Sequence, residues 1–328
     1  MRFHCVCFRS FGMINLYLLM THMSLYQNTC GHRYEFIPYI YNFGDNAGID
    51  IMKAVTSCRV TRGNPKTESL ILGLGSTLHH LKSGIVWGTG AMEQTSEIFH
   101  IKGKFDVRAL RGKLTERLLN QSQHVRIPNQ HKQIAYGDPG LLIPCLLPYL
   151  YRMCVPKHKV CLVPHNNDRL YFAKYAHRKI NTQVIHTNLN YKQSLRRMMN
   201  CNLVLSSSLH GIVFAEAFGI AARWLSNTQM PSFKTEHRFK YCDYYSGSRN
   251  SIVIGDECMN KKGKYNNAET IEEGLLMGGV PPLNRFSPQK LIDAFPFEKI
   301  EQCEQNHNCD KLLDGSQEVG KSRNCSNL

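Results

Sequence analysis

Short apolar runs alternate with apolar residues at helical spacing along most of this chain. Runs at 69–74, 85–87, 104–110, 133–136, 160–163, 183–186, 202–205 and 220–225 are too short for anything but buried strands. Between them, 47–56, 115–119, 139–147, 168–176, 191–199 and 209–218 carry the helical period, and Ser287-Pro288 opens a further helix over 289–295. An aromatic and β-branched run at 34–41 predicts the first strand, irregular or at an edge because Pro38 lies within it. The alternation breaks at 150–159 and then resumes. Strand–helix alternation given twice predicts an α/β protein of two doubly wound domains facing a cleft. The boundaries read as an atypical extension over 1–33, one domain over 34–150, a second over 151–300, and a polar tail over 301–328.

The sharpest pattern is at 201–225, CNLVLSSSLHGIVFAEAFGIAARWL. A strand leads into Ser206, Ser207 and Ser208, which can accept from the free N–H groups of a helix start. The helix runs over 209–218, Gly219 closes it, and another strand follows. This βαβ unit places His210 in the first turn of its helix, where unpaired N–H groups and the helix dipole favour an anion.

Composition narrows the ligand. The chain has 328 residues, enough for two domains, and a net charge of +15. That balance favours anionic partners. The basic residues are spread out and form no nucleic-acid-binding motif, so a small anionic substrate ranks above nucleic acid. The 13 cysteines show no paired spacing and no zinc pattern. They read as free thiols, Cys145, Cys161 and Cys201 among them, which favours a reducing compartment. The apolar stretch 11–20 is about half the length of a membrane span. The expected location is therefore cytoplasmic, with the Golgi lumen as the alternative if the N-terminus acts as a signal.

Further candidates sit at predicted strand ends, where ligands bind in open α/β sheets. Asn42-Phe43-Gly44-Asp45 forms a strand-to-helix turn; Gly44 permits close approach, and Asp45 or Asn46 can cap the helix. Gly73-Leu74-Gly75-Ser76 and Gly88-Thr89-Gly90 are glycine turns without a dinucleotide or P-loop pattern. Arg111 follows a strand as a surface charge or an anion ligand. Asp138 precedes Pro139 as a cap or a cleft carboxylate, and His165 stands beyond 160–163. The segment 227–249 reads as a loop with Lys234, Lys240 and five aromatics, suited to sugar stacking and charge recognition.

Several of these motifs resemble, in order, those of the polysaccharide pyruvyltransferase family. They are Asn42-Phe43-Gly44-Asp45, Val86-Trp87-Gly88-Thr89-Gly90, Arg111-Gly112-Lys113-Leu114-Thr115, Gly137-Asp138-Pro139, Pro164-His165, Ser207-Ser208-Leu209-His210-Gly211 and the segment from Phe239 to Tyr245. The resemblance implies a GT-B-like pair of Rossmann-type domains. It implies transfer of the enolpyruvyl group of phosphoenolpyruvate onto a sugar diol of a galactose- or mannose-type glycan, giving a pyruvate ketal. No metal constellation appears in the sequence, and no metal or other cofactor is expected if Arg and Lys neutralise the donor. The donor carries about three negative charges, so cations and N–H groups must hold it. On this reading Ser208, Leu209, Gly211, Arg111 and Lys240 bind the donor. His210 and His165 move protons, and Asn42, Asp45 and Asp138 lie on the acceptor side or in the cleft. Many family members have Arg where this chain has Ser208, so the charge it supplies must come from elsewhere.

Two other readings remain at this stage. A nucleotide-sugar glycosyltransferase of GT-B fold would use a ribose-binding carboxylate such as Glu216. A non-catalytic glycan- or anion-binding relative would keep the fold without turnover.

Overall fold

The computed structural model describes residues 15–16, 43–55, 61–62, 70–78, 84–94, 105–121, 134–146, 158–173, 181–187, 190–234, 237–260, 267–280, 283 and 286–295. Its first half contains β1 (Asn15–Leu16), α1 (Phe43–Val55), β2 (Thr61–Arg62), β3 (Leu70–Leu72), β4 (Gly84–Trp87), β5 (Phe105–Leu110), α2 (Lys113–Gln121), β6 (Ala135–Tyr136), a 3-10 turn (Pro139–Leu142) and α3 (Ile143–Leu146). The strands lie parallel in the order β2-β1-β3-β4-β5-β6.

The second half begins with β7 (His158–Val163), a 3-10 turn (Asn166–Asp168), α4 (Arg169–Ala173), β8 (Thr182–Val184) and α5 (Tyr191–Met198). It continues through β9 (Cys201–Ser206), α6 (Leu209–Ala217), β10 (Ala221–Trp224), a 3-10 turn (Pro231–Lys234), α7 (Arg238–Ser248), α8 (Ile252–Met259), α9 (Ile271–Met277) and α10 (Pro288–Asp293). Its parallel sheet has the order β10-β9-β7-β8. Both sheets are of the Rossmann-like α/β kind.

That second order fixes where a ligand belongs. From β7 the chain moves outward to β8, then returns to the other side of β7 with β9. The reversal opens a crevice beyond the carboxyl ends of β7 and β9. His165 follows β7 there, and the serine turn before His210 follows β9.

The halves share one apolar core. Phe43 of α1 meets Phe214 of α6 edge-on at 5.2 Å, and both are fully buried. Gly140 of the 3-10 turn packs so closely on α6 that a Cβ there would come 2.8 Å from Val213. Chain order and packing part company after β10. Helices α7 and α8 lie on α2, and α10 returns to the first sheet, where Trp87 donates its Nε1–H to the carbonyl of Leu291 at 2.8 Å.

Several expectations change. Asn15–Leu16, placed by sequence in an extension, pairs with both β2 and β3 as a strand of the first sheet. The strand expected over 34–41, most of the chain crossing expected over 150–159 and the tail over 301–328 lie outside the described residues, while 158 and 159 belong to β7 rather than to a crossing. Helix α1 starts at Phe43, so Gly44 and Asp45 belong to its first turn rather than to a preceding loop. Most of the segment 227–249 is not a loop; Phe239, Tyr241, Tyr244 and Tyr245 lie on α7 and are buried, so none offers a sugar-stacking face. Cys161 bonds to Cys201 and Cys242 to Cys258, while Cys145 is disulfide-bonded as well. The free-thiol expectation fails for these residues because partners 40 and 16 positions apart meet only through β7–β9 pairing and α7–α8 packing.

Candidate functional site

The turn from β9 into α6 is held by its serines, though not as helix caps. The Ser206 hydroxyl accepts the Ser208 N–H at 3.0 Å and lies 2.7 Å from the Val163 carbonyl. Ser207 donates to Asp168 at 2.5 Å and accepts the His165 N–H at 2.9 Å. Asp168 is buried and also takes the N–H and hydroxyl of Ser232. Asp168 thus locks the loops after β7, β9 and β10 together. Sequence reasoning missed it, because its partners lie 39 and 64 residues away. Ser208 occupies the N-cap of α6 in extended conformation, yet its side chain makes no cap bond. The first-turn N–H groups of α6 therefore receive no side-chain cap from Ser208.

His210 stands in that first turn and is only 7% exposed. Its ring stacks on Phe214 at 5.8 Å. The opposing element is the first turn of α1, where a Cβ added to Gly44 would fall 1.9 Å from the ring Nδ1. The close approach expected of Gly44 is therefore an approach to His210. The ring Nε2 is buried and has no hydrogen-bond partner among the described residues. Burial, then Lys240, then Arg111 push the ring pKa down to about 3. The ring is neutral at neutral pH and sits in a positive field.

The origin of that field is a knot of motif residues. Arg111 is fully buried and pairs through Nε with Asp243 on α7 at 2.9 Å. Its two other nitrogens donate to the Ser76 hydroxyl at 2.6 Å and the Ala91 carbonyl at 2.5 Å. Asp243 also accepts the N–H and hydroxyl of Thr115, each at 2.7 Å. Burial pushes the Asp243 carboxyl up, while Arg111 and Thr115 pull it back. Gly90 and Gly112 are fitted around this pair, since a Cβ at Gly112 would come 1.8 Å from the Asp243 carbonyl oxygen. Lys240 lies three residues before Asp243 on the same helix. It too is buried, with Nζ 5.4 Å from the Tyr241 ring centre.

Residues 78–229 match the family model described as "Polysaccharide pyruvyl transferase". Over those residues the chain is similar to the polysaccharide pyruvyl transferase family. That family is one of transferases. An uncharacterised protein of Acanthamoeba polyphaga mimivirus is 25% identical over 231 residues, 66% of this chain and 75% of that protein. A functionally uncharacterised protein of Klebsiella pneumoniae has a solved structure that is 14% identical and covers 62% of this chain and 83% of its own, with a TM-score of 0.35.

The pyruvyl transferase match contains Arg111, Asp138, His165 and the serine turn with His210. Gly44, Lys240 and Asp243 lie outside it, yet packing brings Gly44 to His210 and Asp243 to Arg111. Leu209 and Gly211 flank His210 in the first turn of α6. A Cβ on Gly211 would come 2.2 Å from the Ser206 hydroxyl, so position 211 has no room for a side chain unless Ser206 moves.

His165 is half-buried at the end of β7, and its Nδ1 accepts the Asn167 N–H at 3.3 Å. A neutral ring in that arrangement carries its proton on Nε2. Asp138 is fully buried; one oxygen accepts the Gly140 N–H at 2.8 Å, whereas Oδ2 has no partner among the described residues. Burial pushes its pKa up to about 6. It thus caps the 3-10 turn that supports α6. Asn42 lies outside the described residues, and Asp45 is described only by its place in α1.

Glu216, the carboxylate a nucleotide-sugar enzyme would use on ribose, is committed to the core. It accepts from both terminal nitrogens of Arg249 at 2.9 and 2.7 Å and from the Tyr244 hydroxyl at 2.6 Å. Among the described residues no group of three His, Cys, Asp or Glu side chains is placed to hold a metal, and no helix is long and apolar enough to cross a membrane.

Proposed function

We propose that this chain is a pyruvyl transferase that moves the enolpyruvyl group of phosphoenolpyruvate onto a galactose- or mannose-type glycan diol, with the two sheets arranged as a GT-B-like pair around the site. The observation that carries this reading is His210: a buried, neutral ring with an unpartnered Nε2, in an uncapped helix start, facing Lys240 and the first turn of α1. A site with this field is costly when empty and suited to an anion.

The donor's phosphate and carboxylate take the N–H groups of Leu209 and His210 together with Lys240, while the Gly211 N–H is given to the Ser208 carbonyl at 3.1 Å and Gly211 serves by its lack of a side chain. Arg111 acts at longer range, since its guanidinium is anchored to Asp243, Ser76 and Ala91. It and Lys240 supply the charge that members with Arg at position 208 place directly in the turn. The arriving trianion raises the pKa of His210, which takes up a proton with the donor.

The reaction then balances. The donor methylene gains the proton from His210 and becomes a methyl group, leaving an oxocarbenium-like centre at the adjacent carbon. One sugar hydroxyl bonds to that carbon and gives its proton to the now neutral His210, which restores the charged ring. The C–O bond to phosphate breaks. The second hydroxyl closes the ketal, and its proton leaves with inorganic phosphate. His165, at the neighbouring strand end, orients a sugar hydroxyl. No cofactor enters this scheme.

Calorimetric titration with phosphoenolpyruvate tests the donor site. The wild type should bind it and take up a proton as it does so, read from the buffer dependence of the heat. Lys240→Ala should weaken binding about tenfold or more. Undetectable binding to the wild type contradicts the reading.

A further inference from the structure

The loops beyond the edge strand β8 carry a second concentration of positive charge that the donor scheme leaves unused. His186 lies just past β8, Arg169 opens α4, and Arg197 stands in the last turn of α5. Hydrogen bonds bring these pieces together. The Thr187 hydroxyl lies 3.0 Å from the Pro164 carbonyl and 3.1 Å from the Asn166 side-chain oxygen, joining the loop after β8 to the loop bearing His165. Ser194 of α5 donates to the His186 carbonyl at 3.4 Å, and Arg197 follows Ser194 by three residues, on the same helix face.

The His186 ring feels both guanidinium groups. Burial, then Arg169, then Arg197 hold its pKa below the usual histidine range. Its Nδ1 is buried without a hydrogen-bond partner among the described residues. Arg169, Arg196 and Arg197 are exposed, and none has an ion pair or hydrogen-bonded carboxylate among the described residues. The one carboxylate described nearby on α1, Asp50, is taken by the Tyr191 hydroxyl and by Lys192 at 3.2 Å. The patch adjoins the reaction centre: the His165 N–H is bonded to Ser207, three residues before His210.

We infer that the glycan acceptor is anionic, and that a phosphate or carboxylate it carries is bound by Arg169, Arg197 and His186 while its diol reaches past His165 to His210. This rests on the pyruvyl-transfer reading and adds the acceptor's charge. Hydrogen bonds join the three segments that carry these groups, and two guanidinium groups beside a ring nitrogen without a partner among the described residues suit a group of several acceptor oxygens. A neutral sugar would leave two guanidinium groups and a ring nitrogen unused. Arg169 and Arg197 are exposed and make no ion pair among the described residues, so they can be reversed in charge without dismantling the fold.

The test is calorimetric binding to the full chain, without donor, of three digalactosides: one neutral, one bearing a 6-phosphate, and one in which a galacturonate replaces one residue. At least one charged ligand should bind ten times or more tightly than the neutral one, and added salt should erode that advantage. Preference for the phosphate or for the carboxylate then identifies the source of the charge. The double variant Arg169→Glu with Arg197→Glu should abolish the advantage. Lys290→Glu, the same kind of change on the distant α10, should preserve it. Equal binding of all three ligands, no binding of any, or an advantage that survives the double variant overturns the inference. Phosphoenolpyruvate binding measured on the same protein separates that failure from failure of the donor reading.

Discussion

The His210 ring lies directly against the backbone of Gly44, so closely that a Cβ on Gly44 would stand 1.9 Å from Nδ1 and 2.3 Å from Cγ. The two residues are 166 positions apart, and their contact makes one site from two halves of the chain. Gly44→Ala should therefore push the ring from its place. The ring is buried between Gly44 and Phe214, so it cannot swing into solvent. We expect a stability loss of about 1–3 kcal/mol from overpacking, measured by urea unfolding. Phosphoenolpyruvate affinity should fall by a larger factor than stability explains.

Arg111, just past β5, and Asp243 of α7 form a buried ion pair. Asp243→Asn leaves the guanidinium buried without its counter-charge and should cost about 3–5 kcal/mol. Replacing Arg111 and Asp243 together with apolar residues should cost less than the sum of the single changes, because no orphaned charge remains. A double-mutant cycle by chemical denaturation reads this directly. Additive costs would show that the pair is not coupled.

Much of the fold was legible because its strands and helices have local signatures. The β9–α6–β10 unit announced itself through an apolar run, a helical period and Gly219, whose φ is +72°. Helix α7 did not, since residues 239–248 are buried on every side and an all-buried helix has no polar face to give it a period. The site was legible where one motif holds it, at Ser208 through Gly211. It was not legible where it depends on contact between distant segments. Nothing local to Asp168 or Asp243 announces partners 64 or 132 residues away. Gly44 could be read as a place of close approach, but not that His210 is what approaches.

Two groups give stability opposite dependences on pH. His210 has its folded pKa lowered from 6.5 to about 3. The unfolded chain binds its proton first, so this group removes stability as pH falls from about 6.5 toward 3. Asp138 has its folded pKa raised from 3.8 to about 6. The folded chain holds that proton, so its contribution is present below 3.8 and is lost as pH rises through about 6. Asp138→Asn should thus gain on the order of 2 kcal/mol relative to wild type above pH 7, with the gain vanishing toward pH 4. His210→Gln should flatten the acid limb. Urea midpoints across pH 4–8 check both, and parallel curves for wild type and Asp138→Asn would contradict the assignment.

The Cys242–Cys258 bridge joins α7, which carries Lys240 and Asp243, to α8 with a sequence separation of 16. Loop closure of that size is worth about 3 kcal/mol. Cys242→Ser with Cys258→Ser should lower stability by about that amount and weaken phosphoenolpyruvate binding through α7. Alkylation of the unfolded, unreduced protein followed by mass spectrometry should find both thiols protected. Modification of both residues would show that the bridge does not form.

The central claim is tested most directly by following phosphoenolpyruvate and a panel of neutral and acidic galactosides by NMR with the purified protein. The account predicts inorganic phosphate and a new ketal methyl signal appearing together with wild type, and neither with His210→Ala. Phosphate and ketal formation that persists in His210→Ala would contradict the role of His210. Absence of turnover and of donor binding in the wild type would contradict pyruvyl transfer itself.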